Sequence, residues 1–391
     1  MSCFALPKRS LWSAFFALAA LTDAGDAFAQ PVRSSLGAGQ ASTYSQAQAA
    51  LHEGNLDAAK SACDSIVRAN SRAFQAYICL GIVADRQGRV RAALDAYERA
   101  LAIVPDHEAA VEGLIALYLR RDQRQNALSL AGRLATRWSD NLALQALYIR
   151  TLREVRRFDQ AWQVTREALR KDERFVPVLV EIARVALAQG RQELAESIIN
   201  QALKIDDGSV VANNLQGEVF AKRGALQKAL EHFRKAADAD PYSVEALLAL
   251  ATQYIIGANY QEALALLERS IKLAPQIPEV RLALAEAYRS LGQWAKAKRA
   301  YDLVLFSLPQ SVEVHYNLGL MYMSAGENFP DMSKLEALTQ AQREFELYLQ
   351  GVSKPSDKEI AQANLRDLKR QIDRERRRIE REAQSSSNPE G

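Results

Sequence analysis

Alanine recurs every 34 residues through most of this chain. From Ala59 the same step reaches seven further alanines: Ala93, Ala127, Ala161, Ala195, Ala229, Ala263 and Ala297. Five positions before each alanine stand residues that are mostly compatible with a turn: Gly54, Gly88, Asp122, Arg156, Gly190, Gly224, Ala258 and Gly292. Alanines kept in register without an insertion indicate that one structural unit is repeated along the chain.

The residues between these landmarks predict two amphipathic helices in each unit. Apolar side chains recur at the three- and four-residue spacing of one helix face. The turn column lets the chain reverse between the helices, and the small alanine lets them approach closely. Aromatic residues make up only 7% of the chain, and 18 glycines and 11 prolines are too few for a protein rich in β-turns. We therefore expect an all-α protein in which stacked hairpins bury a shared core.

Residues 74–107 contain the clearest copy of the unit. They carry Tyr77, Leu80, Gly81, Ala84, Gly88, Ala93, Tyr97, Ala100 and Pro105 at the spacing of the tetratricopeptide (TPR) pattern, with tyrosine in place of its tryptophan and Ala84 in place of its tyrosine. The chain resembles the TPR family from residue 40 to about residue 350. The resemblance implies a right-handed α-solenoid of about nine helix-turn-helix units with a C-terminal capping helix.

The repeat register divides the chain into segments. We expect a TPR array over residues 40–353, with eight regular units over 40–311 and a ninth over 312–353. The ninth contains an insertion of about ten residues within 327–340, which is either a binding loop or a tolerated surface loop. A charged helix over 354–383 and a disordered tail over 384–391 would follow. The charged half of that helix is either a solvated surface held by ion pairs or a docking helix.

The first 29 residues have the layout of a secretory signal peptide. Lys8 and Arg9 precede an apolar run over 11–21, and Ala27-Phe28-Ala29 forms a small-residue cleavage site. The run is too short to span a bilayer, although an uncleaved anchor is the alternative. We expect a flexible leader over 30–39, no transmembrane segment after cleavage, and export to the periplasm, where the protein could lie at the periphery of a membrane.

Charge and motif content argue against several functional classes. The formal net charge is +3, too small for a nucleic-acid-binding protein. The four histidines are isolated from one another, and no nucleotide-binding, hydrolase or metalloprotease motif occurs. We therefore expect no enzyme, no cofactor and no metal site.

Cys63 and Cys79 are the cysteines that follow the apolar run. Cys63 lies on the second helix of the first unit, and Cys79 lies on the first helix of the next. Neighbouring helices in an oxidising compartment permit a disulfide. The alternative is that both are small buried apolar residues, and the apolar column that contains Cys63 favours it.

The family resemblance also implies a concave groove lined by the first helix of each unit. Carried over to this register, the groove residues are Arg120, Arg150, Arg153, Arg184, Glu245, Leu248, Ile255, Ile256, Leu282, Glu286 and Tyr316. The groove would be basic in its middle, and acidic with an apolar floor in its C-terminal half. A peptide or helix with apolar anchors and basic flanks would suit that half. The alternative is that these charges form a solvated face.

Some TPR proteins grip a terminal carboxylate with lysine and asparagine side chains. Here Asn214 and Asn317 are isolated and the lysines are missing, which disfavours a receptor of that kind.

The most consistent function is a non-catalytic protein–protein interaction scaffold of the cell envelope. The overall layout is loosely similar to exported TPR proteins of myxobacterial gliding-motility or of pilus and secretion machinery. The alternative is an adaptor that recruits cell-wall or polysaccharide synthesis enzymes. Self-association through the last helix or the open ends of the array is left undecided.

Overall fold

The computed structural model describes residues 36–386, and these form an array of α-helices. The predicted signal peptide, most of the predicted leader and the last five residues of the predicted tail lie outside this range. The helices are α1 Ala38–His52, α2 Leu56–Ala69, α3 Phe74–Arg86, α4 Val90–Ile103, α5 Glu108–Arg120, α6 Arg124–Arg137, α7 Leu142–Glu154, α8 Phe158–Lys171, α9 Val176–Ala188, α10 Gln192–Ile205, α11 Val210–Lys222, α12 Leu226–Ala239, α13 Val244–Ile256, α14 Tyr260–Leu273, α15 Pro278–Ser290, α16 Trp294–Ser307, α17 Val312–Ala325, α18 Lys334–Gly351 and α19 Pro355–Ser386.

Each predicted turn residue adopts a left-handed backbone conformation. The five glycines of the column have φ between 70° and 76°. Asp122, Arg156 and Ala258 occupy the same position with φ of 55°, 60° and 60°, although an L side chain is disfavoured there. The turn therefore depends on the repeat geometry, and three repeats tolerate the strain of a side chain.

The alanine column lies at the contact between the paired helices. All eight alanines have no exposed surface, and Ala341 of the ninth repeat is buried in the same way. In several repeats a ring four residues further along the second helix packs on a glycine of the first. A Cβ added to Gly217 would lie 2.7 Å from the Phe233 ring. Small residues on one helix therefore make room for the alanines and rings of the other.

The described residues fall into two compact modules. The N-terminal module comprises 36–257 and 268–276, and the C-terminal module comprises 258–267 and 277–386. The C-terminal module has its own core, in which Tyr301, Met321 and Phe345 are fully buried.

The ninth repeat differs from the expected insertion. A short 3₁₀ helix, Gly326–Asn328, and a loop connect α17 to α18. Residues 334–340, which we expected to belong to the insertion, form the first two turns of α18 and lengthen it to 18 residues. Ser333 caps this helix and Glu336 completes a capping box. The inserted residues thus extend a helix more than they extend a loop.

The last helix is also longer than predicted, because it runs from Pro355 to Ser386 and includes the first three residues of the expected disordered tail. Ala361 and Leu368 on its first half, and Ile372 just beyond the midpoint, are buried in the C-terminal core. None of the helices within residues 36–386 combines the length and the hydropathy that crossing a membrane requires.

Cys63 and Cys79 form a disulfide that joins α2 to α3. Both residues are also buried in the apolar core of the first two repeats. Both interpretations of the sequence therefore hold: the two cysteines form a disulfide, and they are also buried in the apolar core. The disulfide links consecutive repeats at the N-terminal end of the array.

Replacing Cys63 and Cys79 with alanine should lower the free energy of unfolding of the first repeats by about 3 kcal/mol, the value for a closed loop of this length. Urea titration followed by hydrogen exchange of α1–α3 measures the change. The same titration of the native protein with and without reductant is the control. An unchanged midpoint in both comparisons would show that the bridge contributes nothing to stability.

Replacing Ala258 with glycine should raise stability by about 1 kcal/mol, because it removes a side chain from a left-handed position. Thermal denaturation provides the measurement. Ala49→Gly is the control, since Ala49 is exposed within α1 and should lose up to about 1 kcal/mol when its side chain is removed from a helical position. Equal losses in both variants would contradict the argument from strain.

Candidate functional site

The first helices of the N-terminal module carry a set of charged side chains on their inner face. We call this set the inner charge network, and it comprises Asp85, Glu112, Arg120, Arg150, Arg153, Glu154, Glu181, Arg184, Glu218 and Glu245. Its members come from α3, α5, α7, α9, α11 and α13. The repeat places them on the same side because equivalent positions of stacked helices face the same direction.

Each arginine of the network pairs with an acid. The first two pairs lie on the inner side of α3, α5 and α7: Arg120 pairs with Asp85, and Arg150 Nη1 lies 3.1 Å from Glu112 Oε1. The arginines expected in the middle of the groove are thus neutralised by carboxylates of the same face.

The pairing continues through the fourth to seventh repeats. Arg153 lies 3.0 Å from Glu154 and 3.6 Å from Glu181. Arg184 Nη1 lies 3.7 Å from Glu218, and its Nη2 lies 3.7 Å from Glu245. Because Arg184 is in the fifth repeat and Glu245 in the seventh, the inner faces of non-adjacent repeats meet.

Charges of distant repeats act on the Glu112 carboxyl. Burial raises the pKa of the Glu112 carboxyl, while Arg150 opposes the rise, and Glu181 and Glu245 raise it further. Glu112 belongs to the third repeat and Glu245 to the seventh, so charges four repeats apart act on one another. Burial lowers the pKa of the Arg153 guanidinium, although the group keeps its charge at any physiological pH.

Most of the predicted groove residues of this module are buried. Arg150, Arg153, Arg184, Glu245, Leu248 and Ile255 are each between 4% and 8% exposed. The Arg120 side chain is half-buried, and Ile256 is 52% exposed. Of the apolar residues expected in the groove floor of this module, Leu248 and Ile255 are therefore buried, and Ile256 is accessible to solvent.

The C-terminal module also closes over its predicted groove residues. Tyr316 is 6% exposed, and its hydroxyl accepts a hydrogen bond of 3.3 Å from Asn364 Nδ2 on α19. Leu282 is partly buried against the C-terminal core. The last helix therefore covers Tyr316, which corrects its assignment to an open groove.

Glu286 is 3% exposed, and its Oε1 lies 3.8 Å from Arg289 Nη2, beyond hydrogen-bonding distance. That oxygen has no hydrogen-bond partner. Burial raises the pKa of this carboxyl, and Arg289 only partly offsets the rise. Glu286 is thus a buried acid in the C-terminal core and not an open groove charge.

Asn214 is the most unusual polar residue of the N-terminal module. It is 1% exposed, and neither its amide oxygen nor its amide nitrogen has a hydrogen-bond partner. It lies on α11 one turn before Glu218, so the two side chains share a face. Its neighbour Asn213 is equally buried, but its amide nitrogen donates to the carbonyls of Asp207 and Ser209. An unsatisfied buried amide costs about 1–3 kcal/mol, so Asn214 calls for a functional explanation.

Comparison with the equivalent positions of the neighbouring repeats shows that Asn214 is unusual. The equivalent residues one repeat before and after it are Val180 and Leu248, so a polar amide replaces an apolar side chain at an inner position. The sequence lacks the lysines of a carboxylate clamp, which makes Asn214 look isolated. Its lack of hydrogen-bond partners is visible only in the packed structure.

The paired helices, the buried alanine column and the inner face define a helical repeat protein of the solenoid class. Family models described as tetratricopeptide repeat match residues 44–108, 78–141, 182–244 and 258–321, which together cover more than half of the chain. The chain belongs to the tetratricopeptide repeat family.

Similar proteins include the Protein CTR9 homolog of Arabidopsis thaliana, 31% identical over 150 residues, which are 38% of this chain and 14% of that protein. The general transcriptional corepressor trfA of Dictyostelium discoideum is 29% identical over 101 residues, which are 25% of this chain and 7% of that protein. Among solved structures, the APC/C Cut9–Hcn1 hetero-tetramer matches with a TM-score of 0.57 and 15% identity, covering 80% of this chain and 59% of that chain. The chain spans a small part of the two sequence relatives, and the structural match shows the fold alone.

Replacing Glu286 with glutamine should stabilise the C-terminal module at pH 7. A carboxyl with a raised pKa in the folded state binds its proton more tightly there than in the unfolded chain. Its unfavourable contribution therefore grows as the pH rises from the unfolded pKa through the folded one, and glutamine removes it. Urea unfolding between pH 4 and pH 7 should show a stability difference that disappears at the acidic end. Glu380→Gln on the exposed part of α19 is the control, and equal effects of both changes would contradict this account.

Proposed function

We propose that this protein is a non-catalytic scaffold that holds an extended segment of a partner protein against the inner face of the N-terminal module. The observation that carries this proposal is the unpartnered amide of Asn214. An asparagine side chain donates and accepts one hydrogen bond at the same time, which matches the N–H and C=O groups of an extended backbone. A helix satisfies these groups internally, so an extended peptide suits the site better.

The charges around Asn214 describe the preferred segment. Glu218 and Glu245 lie on the same inner face, and both are paired with Arg184. A charged side chain on a segment that binds beside Asn214 would replace one partner in one of these ion pairs. Exposed Ile256 provides an apolar contact at the edge of the same module. The partner segment would therefore carry a charged side chain next to an apolar one.

We also propose that this scaffold works in the cell envelope, within a gliding-motility, pilus or secretion machine. The signal-like N-terminus supports an exported protein. The disulfide between Cys63 and Cys79 also suits an oxidising compartment. An adaptor for cell-wall or polysaccharide synthesis enzymes is the alternative role. Genomic neighbourhood separates the two, since motility or pilus genes favour the first and polysaccharide genes favour the second.

Replacing Asn214 with leucine should have opposite effects on stability and on binding. The unbound protein should gain about 1–3 kcal/mol, because an unsatisfied buried amide is removed. Asn213→Leu is the matched control and should lose stability, because it leaves the carbonyls of Asp207 and Ser209 without their donor. Urea denaturation of the two variants and the native protein measures both changes.

The binding test uses peptides selected from a random display library against the native protein. The dissociation constant of a selected peptide should rise at least tenfold in the Asn214→Leu variant. Ile256→Asp tests the edge contact without disturbing the core, since this side chain is exposed. Unchanged binding in the Asn214→Leu variant would overturn the assignment of the inner face as the binding site.

A further inference from the structure

The first repeat touches the end of the sixth through a stacked pair of rings. His52, the last residue of α1, stacks on Tyr242 with ring centroids 4.4 Å apart and planes inclined by 12°. Tyr242 lies in the connection between α12 and α13, where the sixth repeat passes into the seventh. Residues far apart in sequence therefore meet after one circuit of the N-terminal module.

Arg269 also lies close to the Tyr242 ring. Its guanidinium lies 5.4 Å from the centroid of the Tyr242 ring. Arg269 belongs to α14, the second helix of the seventh repeat. Tyr242 thus contacts both an aromatic ring of the first repeat and a cation of the seventh.

The turn of the first repeat lies against the backbone of the same helix. A Cβ added to Gly54 would lie 2.2 Å from the carbonyl oxygen of Lys272, which only a displaced backbone could accommodate. The equivalent glycines Gly88, Gly190 and Gly224 have φ of 70°, 76° and 74° and no such neighbour within 4 Å. Gly54 is therefore needed for a close approach as well as for its φ of 74°.

These contacts have a consequence for the inner face. In the same arrangement Arg184 Nη2 of the fifth repeat lies 3.7 Å from Glu245 Oε1 of the seventh. Asn214 on this inner face is 1% exposed, so an extended segment cannot reach it while the repeats are arranged in this way. The contacts that close the circuit lie at the surface, since Tyr242 is 41% exposed and His52 is exposed too. Such contacts are weaker than core packing and can open while each repeat stays folded.

We propose that His52 and Gly54, together with Tyr242, Arg269 and Lys272, form a clasp that controls access to Asn214. In the closed state the seven repeats surround the inner charge network. Opening the clasp separates the first repeat from the seventh and admits the partner segment. This regulation rests on the proposed function, because it concerns the same inner site.

Gly54→Ala tests the clasp with a matched control. The substitution places a Cβ on the Lys272 carbonyl, whereas Gly190→Ala adds the same left-handed strain without a clash. Access is read from a thiol introduced by Asn214→Cys in a full-length chain that also carries Cys3→Ser. Because Cys63 and Cys79 are bonded to each other, the new thiol is the reactive one.

The probe is a small methanethiosulfonate reagent, and the rate of its reaction with the introduced thiol is measured. Gly54→Ala should raise this rate at least tenfold, while Gly190→Ala should change it by less than twofold. Equal rates in the two variants would overturn the clasp. If Gly54→Ala does not fold, His52→Ala combined with Tyr242→Ala removes the ring stack without backbone strain and should give the same increase.

Spin labels provide an independent measure of opening. Glu53 and Asp238 are both exposed, and they lie in the first and sixth repeats of the N-terminal module. Gly54→Ala should lengthen and broaden the distance distribution between labels at these positions, and Gly190→Ala should leave it unchanged. An unchanged distribution in the Gly54→Ala protein would contradict opening.

A display-selected peptide separates the clasp from the proposed function. If the clasp controls access, the association rate of this peptide should rise at least tenfold in the Gly54→Ala variant. Faster thiol modification without any peptide binding would support the clasp and refute the proposed binding site. Equal association rates in the native, Gly54→Ala and Gly190→Ala proteins would overturn the clasp as a regulator.

Discussion

The close approach of two helices at an alanine is the contact on which this molecule depends. It recurs every 34 residues, and at each occurrence the alanine is completely buried. A larger side chain there would separate the helices, and the ring four residues later would lose its packing contact with the first helix. Because one hairpin cannot bury its own apolar face, each such contact also positions the next repeat.

Repetition places equivalent side chains on one inner face, where their charges must be balanced. The N-terminal module achieves this by pairing arginines and carboxylates of different repeats, such as Arg184 with Glu218 and Glu245. Buried ion pairs contribute little net stability, but removing one partner is costly because a charge is left without compensation. The network thus favours one relative arrangement of the repeats. Asn214 stands out against this background, since its polar atoms have no partner.

The local parts of the fold could be predicted because they depend on neighbours in sequence. The repeat period identifies the turn column even where Asp122, Arg156 and Ala258 replace glycine, and all three adopt the left-handed conformation. The ninth repeat departs from the period. Ser333 and Glu336 form a capping box that begins α18 seven residues before the expected end of the insertion. The groove residues follow from analogy with the family, and the register alone does not reveal that Tyr316 lies beneath α19.

The periodic pattern of residues is sufficient to specify the repeated helical hairpin, its turns and the side chains on its inner face, since all of these have local causes. How those side chains are used depends on the packing of the whole module. Curvature accumulates over successive repeats, and small differences at each interface determine whether the first repeat reaches the seventh. The accumulated curvature brings His52 to Tyr242 and Arg184 to Glu245, and it leaves Asn214 buried without a hydrogen-bond partner. No single repeat contains this information.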